Sequence, residues 1–383
     1  MRKEQSTPLH RRSFLQRSIF SGAALVPYRE SGLGDVTKNK HLGFQMPALD
    51  RDPIAIQDST LIVNGLDPSE LTTRYVEMLR LAGVSCWLRS RTAPGVQAFA
   101  DAHNFLDAHR DRIVMTTTVK EIHEARRSGR IAHIFGWQSA NVLGDAKGEP
   151  PPTALRAYYQ LGLRVVGIAY NVSNIFGAGC LEPHLGLTRA GQRLVEEIHR
   201  LRILLDVGGH TGEQTSLDAI KISSGVPIVC THTNVAALID NPRNSSDRLF
   251  EAIANTGGVI GITAFNDFHA RTRHDTKIAV TPQVGLEKHL DQFDYLRRLV
   301  GSDHIGLGPD FIEGRDPNAS INPEVAPLEV YSKKPWLYVK GFERITELPN
   351  ITKGLIERGW STAEIRKVLG ENWLRVYEQV WGL

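Results

Sequence analysis

The stretch Ile203-Leu204-Leu205-Asp206-Val207-Gly208-Gly209-His210, followed by Pro227-Ile228-Val229-Cys230-Thr231-His232, decides the fold. Each is a short apolar run that breaks off into polar residues. Continuous apolar runs of this length suit parallel strands buried on both faces. Between them Thr215–Ser223 reads as a helix. Strand, helix and strand in succession form the right-handed crossover of a parallel sheet.

The unit recurs in both directions. Besides Ile203–Val207 and Ile228–Thr231, strands are expected over Leu61–Val63, Cys86–Leu88, Ala132–Phe135, Val165–Tyr170, Val259–Thr263 and Ile305–Leu307. Helices are expected over Ser69–Ala82, Gly95–Arg110, Lys120–Ser128, Thr153–Leu161, Thr188–Leu201, Asp247–Thr256 and Gln283–Leu299. Strands and helices alternating over ~250 residues predict an α/β fold, a closed (β/α)8 barrel of the TIM type. The run Arg112–Thr117 reads as the lead into the helix begun near Thr118. An open doubly wound sheet is the other α/β option, but no Gly-x-Gly-x-x-Gly follows the first strand. A loop rich in Pro and Asn, Gly314–Lys334, follows the last strand, and a helical extension closes the chain. Ser361 and Glu364 have capping-box spacing, and Ile365, Val368, Leu369 and Trp373 form an apolar helical stripe for packing on the barrel.

The 383 residues carry a formal net charge of +3, unevenly spread. Residues 1–27 hold a net +4, so the body is close to neutral and offers no basic footprint for nucleic acid. No apolar run is long enough to span a membrane. Cys86, Cys180 and Cys230 are too scattered for a disulfide framework. The stretch Arg11-Arg12-Ser13-Phe14-Leu15 resembles a Tat (twin-arginine) export signal and predicts a periplasmic protein; a basic tail on a cytoplasmic protein is the alternative. Residues 1–45 are therefore set apart as signal and lead-in, and residues 46–383 form the barrel domain with its C-terminal helices.

Catalytic groups of such barrels lie at the C-terminal ends of strands. There the chain places Gln138, Tyr170-Asn171, His210, His232 and Asp310. Two histidines on neighbouring strand ends and an aspartate on a later one are donors suited to zinc. Such an ion activates a bound water and polarises a carbonyl. Arg243, about a dozen residues past the sixth strand, suits bidentate recognition of a carboxylate. The competing reading of Arg243 is a surface ion pair with Asp240 or Asp247. His103, His109, His123 and His199 read as solvated helix faces, and His269 and His274 as loop residues.

Several runs, in order, resemble the membrane (renal) dipeptidase family: Gln160-Leu161-Gly162-Leu163-Arg164, Gly186-Leu187-Thr188, Leu205 to His210, Pro227 to His232, Pro242-Arg243-Asn244, Gly306 to Phe311, and Glu371-Asn372-Trp373-Leu374-Arg375-Val376. The resemblance covers roughly residues 55–383. It implies a (β/α)8 metallohydrolase with two bridged zinc ions that cleaves dipeptides bearing a free carboxylate. It further implies that His210 and His232 bind one zinc, that Asp310 handles the proton of the attacking water, and that Arg243 holds the substrate carboxylate. The chain also departs from the family. The His-x-Asp ligand pair of the other zinc is replaced by Leu66-Asp67-Pro68, the bridging glutamate by Trp137 or Gln138, and a substrate-facing histidine by Tyr170. Tyr170 can still donate to an oxyanion.

The expected cofactor is thus one zinc ion, held by His210 and His232 with help from Gln138 or Asp310. The expected partner is a small peptide or peptide-like substrate; a homodimer remains open. The expected function is hydrolysis of a dipeptide or small peptide-like amide. The alternative is a tailoring or non-catalytic relative that binds a small carboxylate ligand at the barrel mouth.

Overall fold

A computed structural model describes residues 52–92, 95–144, 153–316 and 322–382. The twin-arginine stretch and the boundary at residue 45 lie outside them. The described residues hold nine parallel strands: β1 (Ile62–Asn64), β2 (Val84–Arg91), β3 (Ile113–Met115), β4 (Ile131–Trp137), β5 (Leu163–Gly167), β6 (Leu204–Asp206), β7 (Cys230–Thr233), β8 (Ile260–Ile262) and β9 (Ile305–Leu307). One sheet runs β1-β2-β4-β5-β6 and the other β7-β8-β9. Val207 N donates to Val229 O at 2.8 Å and Gly65 N to Leu307 O at 2.9 Å, which joins the sheets into a closed (β/α)8 barrel.

One expectation fails. The run Arg112–Thr117 is not a helix lead-in, because Ile113–Met115 forms β3. Ala132 of β4 pairs with Cys86 on one edge and Val114 on the other. β3 therefore fills the lower edge of β4, below the point where β5 joins at Phe135. Its Ile and Val suit a strand, and a three-residue run offers no periodicity by which to tell the two states apart.

The expected helices form with ends moved by a few residues. Ser69–Ala82 shortens to Thr73–Leu81, because Thr72 caps the helix by accepting from Tyr75 N. Pro53–Ser59, Asp267–Ala270 and Leu348–Glu357 are additional helices.

The core is layered. Val63, Cys86, Leu88, Ala132, Ile134, Val165, Leu204, Val229 and Val259 pack with Trp373, Tyr377 and Trp381 of the C-terminal helix. Trp373 Nε1 donates to Leu307 O at 3.2 Å. A Cβ at Gly65 or Gly306 would run into its indole, so these strands need glycine there. The extension thus seals one end of the barrel and leaves the C-terminal strand ends for the site.

The capping box forms as expected: Glu364 N donates to Ser361 Oγ at 3.3 Å and Ser361 N to Glu364 Oε2 at 2.9 Å. Ser361→Ala is expected to cost about 1 kcal/mol, read as a lower midpoint in urea at unchanged slope.

Candidate active site

The turn after β6 presents His210. Gly208 and Gly209 have φ of 69° and 54°, which a side chain resists. Asn171 Nδ2 donates to Val325 O at 2.7 Å, so its Oδ1 faces His210 Nδ1 at 2.6 Å as an acceptor. The His210 proton therefore sits on Nδ1, and Nε2 carries a lone pair. His232 is set the same way through a relay. Thr231 Oγ1 donates to Asp206 Oδ2 at 2.6 Å and so accepts from His232 Nδ1 at 2.9 Å. His232 Nε2 is buried without a partner. The two rings lie 4.9 Å apart. Burial and the Arg243 charge push both pKa values well below the ordinary range, so both rings are neutral.

Tyr170 stacks on His210 at 3.7 Å. Burial pushes the Tyr170 pKa up to about 12, so its hydroxyl stays a donor. Asp310 follows β9 with φ 63°, and Asn171 has φ 62°. Two left-handed non-glycine residues beside one site mark a backbone bent to aim side chains. Burial lifts the Asp310 pKa to about 7 against the pull of Arg243.

Arg243 is fully buried. The surface ion pair with Asp240 or Asp247 does not form: Asp240 is taken by Arg273 at 2.6 Å, and Tyr295 donates to Asp247 at 2.8 Å. Arg243 Nε, Nη1 and Nη2 have no hydrogen-bond partner among the described residues. The guanidinium lies over the Phe268 ring, 4.9 Å from its centroid. Burial disfavours its charge and the Asp310 carboxylate favours it; the net shift of the Arg243 pKa is upward, so the guanidinium is protonated. A buried cation with three unused donor atoms is set for an anion.

The loop after β9 runs along these strand ends. Asn241 Nδ2 donates to Val330 O at 3.0 Å, Arg271 Nε to Leu328 O at 2.7 Å, and Tyr338 Oη to Asp310 O at 2.9 Å. Sequence reading took this segment for a plain connection and assigned no role to Asn171, Asp206 or Thr231. Only the strand-end position of Asn171 and Asp206 hinted at one. His269 and His289, read as a loop residue and passed over, are a buried pair 3.0 Å apart, outside this cluster. His103 and His199 are not free helix faces: they bond Leu161 O at 2.9 Å and Ser223 Oγ at 2.7 Å.

His210 and His232 offer two imine lone pairs, which fits one divalent ion. Among the described residues no group of three or more His, Cys, Asp or Glu side chains is arranged to hold an ion. Gln138 is buried and spends its Nε2 on Ser90 O at 3.1 Å. Asp67 is spent as well, accepting from Ser69 N at 2.9 Å, from Asn64 Nδ2 at 3.0 Å and from Tyr75 Oη.

Strand ends carrying these side chains around a closed parallel barrel define a TIM-barrel protein with a polar site at the barrel mouth. The family model of the membrane dipeptidases (peptidase family M19) matches residues 84–322 and 335–382, and the chain belongs to that family. It is 30% identical over 271 residues to a protein from the pqqA 5′ region of Klebsiella pneumoniae, covering 69% of this chain and 86% of that one. It is 27% identical over 281 residues to the dipeptidase verJ of Clonostachys rogersoniana, covering 73% of this chain and 63% of verJ. Among solved structures, an amidohydrolase from Pseudomonas aeruginosa superposes with a TM-score of 0.75 at 26% identity, over 87% of this chain and 100% of that one. A Rhodobacter sphaeroides metallopeptidase, liganded with a phosphinate mimic of L-Ala-D-Ala, shares the fold with a TM-score of 0.64 at 22% identity, over 84% of this chain and 100% of that one.

Proposed function

We propose that this chain is a dipeptidase-like hydrolase of small peptide-like amides that carry a free carboxylate. The observation that carries the reading is the buried guanidinium of Arg243, whose three nitrogens lack partners. A planar carboxylate satisfies two of them at once. The dipeptide mimic bound by the Rhodobacter sphaeroides relative supports the same class of ligand.

With the carboxylate on Arg243, the amide lies among His210, His232, Tyr170 and Asp310. A divalent ion held by His210 and His232 supplies, when bound, Lewis-acid activation of water. Asp310, with a pKa of about 7, takes the proton of the attacking water and returns it to the leaving amine. Tyr170 donates to the oxyanion that forms on the carbonyl. Asn171 and the Asp206–Thr231 relay hold both imidazoles in the tautomer this requires. Export through the Arg11-Arg12 signal belongs to the same reading and places the reaction in the periplasm.

The test is turnover of L,L-, L,D- and N-acyl dipeptides with zinc, manganese or cobalt, alongside metal analysis of dialysed protein. The expected result is hydrolysis of at least one substrate with no more than one bound ion, lost in His210→Ala and His232→Ala. Two retained equivalents of zinc would contradict the single-ion site. Binding through Arg243 with no turnover under any metal would leave a carboxylate-binding relative in place of an enzyme.

A further inference from the structure

The ends of β1, β2 and β9 adjoin around the barrel, and the mouth there holds a second cationic cluster. Arg89, at 7% exposure, places Nη2 at 3.2 Å from Glu70 Oε2 and donates from Nε to Ser69 O at 2.9 Å. Arg91 Nη2 lies 3.4 Å from Glu70 Oε1, and Arg315 Nε lies 3.8 Å from the same atom. Three guanidinium groups share one carboxylate. Arg91 and Arg315 each keep about a third of the side chain open, 33% and 32%. The neighbouring Glu313 is taken by Arg74 at 3.1 Å.

Arg315 Nε also donates to Pro68 O at 3.2 Å. Its guanidinium thus stands on the Leu66-Asp67-Pro68 turn, where the family resemblance puts the ligands of the second ion. A protein cation stands beside the place a metal cation has lost. Arg91 ends β2 in register with Trp137 of β4, which pairs with Val166 of β5, and Tyr170, just past β5, stacks on His210. Asp310 N donates to Leu66 O at 3.1 Å, so Asp310 and Arg315 stand on the same turn.

We infer that Arg91 and Arg315 form a second anion subsite, so that the mouth selects a monoamide carrying a carboxylate at each end. One carboxylate meets Arg243, and the other, on the acyl part, meets Arg315 and Arg91. The excess positive charge works against a free α-ammonium on the acyl residue, which separates this ligand class from plain dipeptides. The inference rests on the carboxylate role of Arg243 proposed above.

The test is calorimetric titration of the full chain with N-succinyl-alanine and N-butyryl-alanine, in both L and D forms. The two acyl groups match in length, and only succinyl carries the second charge. The expected result is tighter binding of N-succinyl-alanine, by roughly 3- to 10-fold at low salt. Arg315→Gln and Arg91→Gln, tested singly, should each reduce that preference and leave N-butyryl-alanine binding and the melting transition unchanged. Equal binding of the two ligands by the natural chain overturns the subsite while leaving Arg243 its role. A preference that survives in both variants also overturns it. Binding of neither ligand removes the subsite and the Arg243 reading together.

Discussion

Replacing Arg243 with Met is expected to raise the melting temperature of the ligand-free protein while it removes binding of carboxylate ligands. The natural side chain buries a charge whose three nitrogens have no hydrogen-bond partner among the described residues. Replacing buried ionic groups with well-packed apolar side chains is often neutral or stabilising, by up to about 4 kcal/mol. Met keeps contact with Phe268, and the backbone bond from Arg243 N to Asn241 Oδ1 at 2.9 Å does not depend on the side chain. The lost Arg–carboxylate pair should weaken binding by on the order of 2–4 kcal/mol, roughly 30- to 1000-fold. In turnover, KM should rise more than kcat falls, because the contact is shared by ground and transition states. Thermal melts with and without N-acetyl-alanine read both effects. A lower melting temperature with unchanged affinity would mean that Arg243 is a structural cation.

This opposition of stability and binding explains the local design. Gly209 lets the Arg243 guanidinium approach the backbone of the His210 turn, where a Cβ would meet Nη1 at 2.5 Å and His232 O at 2.6 Å. The site therefore needs glycine at 209 for its φ and for its lack of a side chain. Energy lost to a buried cation and two left-handed residues is offset by the sealed core at the other end of the barrel, where Trp373, Tyr377 and Trp381 pack.

The barrel and the strand-end residues were legible because both are written locally. An apolar run that breaks into Gly-Gly-His or Thr-His states its strand and its polar tip within ten residues. The second layer was not legible, because its partners come from distant parts of the chain. Asn171 reaches Val325 across 154 positions, and Asp206 reaches Thr231 across 25. Burial of Arg243 was hidden for the same reason: Asp240 and Asp247 are its neighbours in sequence, yet both have other partners. Asp67 shows the converse. It stands where the resemblance puts the ligand pair of the other zinc, but it folds back on Ser69 within two residues, a local turn that the strand pattern conceals.

Asp310→Asn is expected to lower kcat by roughly 10²- to 10⁴-fold with little change in KM. Asparagine keeps the size of the side chain, so the left-handed conformation at φ 63° remains accessible. What disappears is a carboxylate that accepts the proton of water in the transition state. Burial holds its pKa near 7, against the Arg243 charge. Protonated Asp310 cannot act as the base, so the proposed hydrolysis by the natural chain should fall about tenfold per pH unit below roughly 7 and level off above it. The residual activity of Asp310→Asn should lack this acid limb. Both imidazoles are already neutral across this range, because burial and Arg243 hold their pKa values well below the ordinary value, so they do not supply the limb. An Asn variant as fast as the natural chain, or one that keeps an acid limb near pH 7, would move the proton-handling role to another group. Asp206 is the next to test, since burial also lifts its pKa to about 7 and it reaches His232 through Thr231.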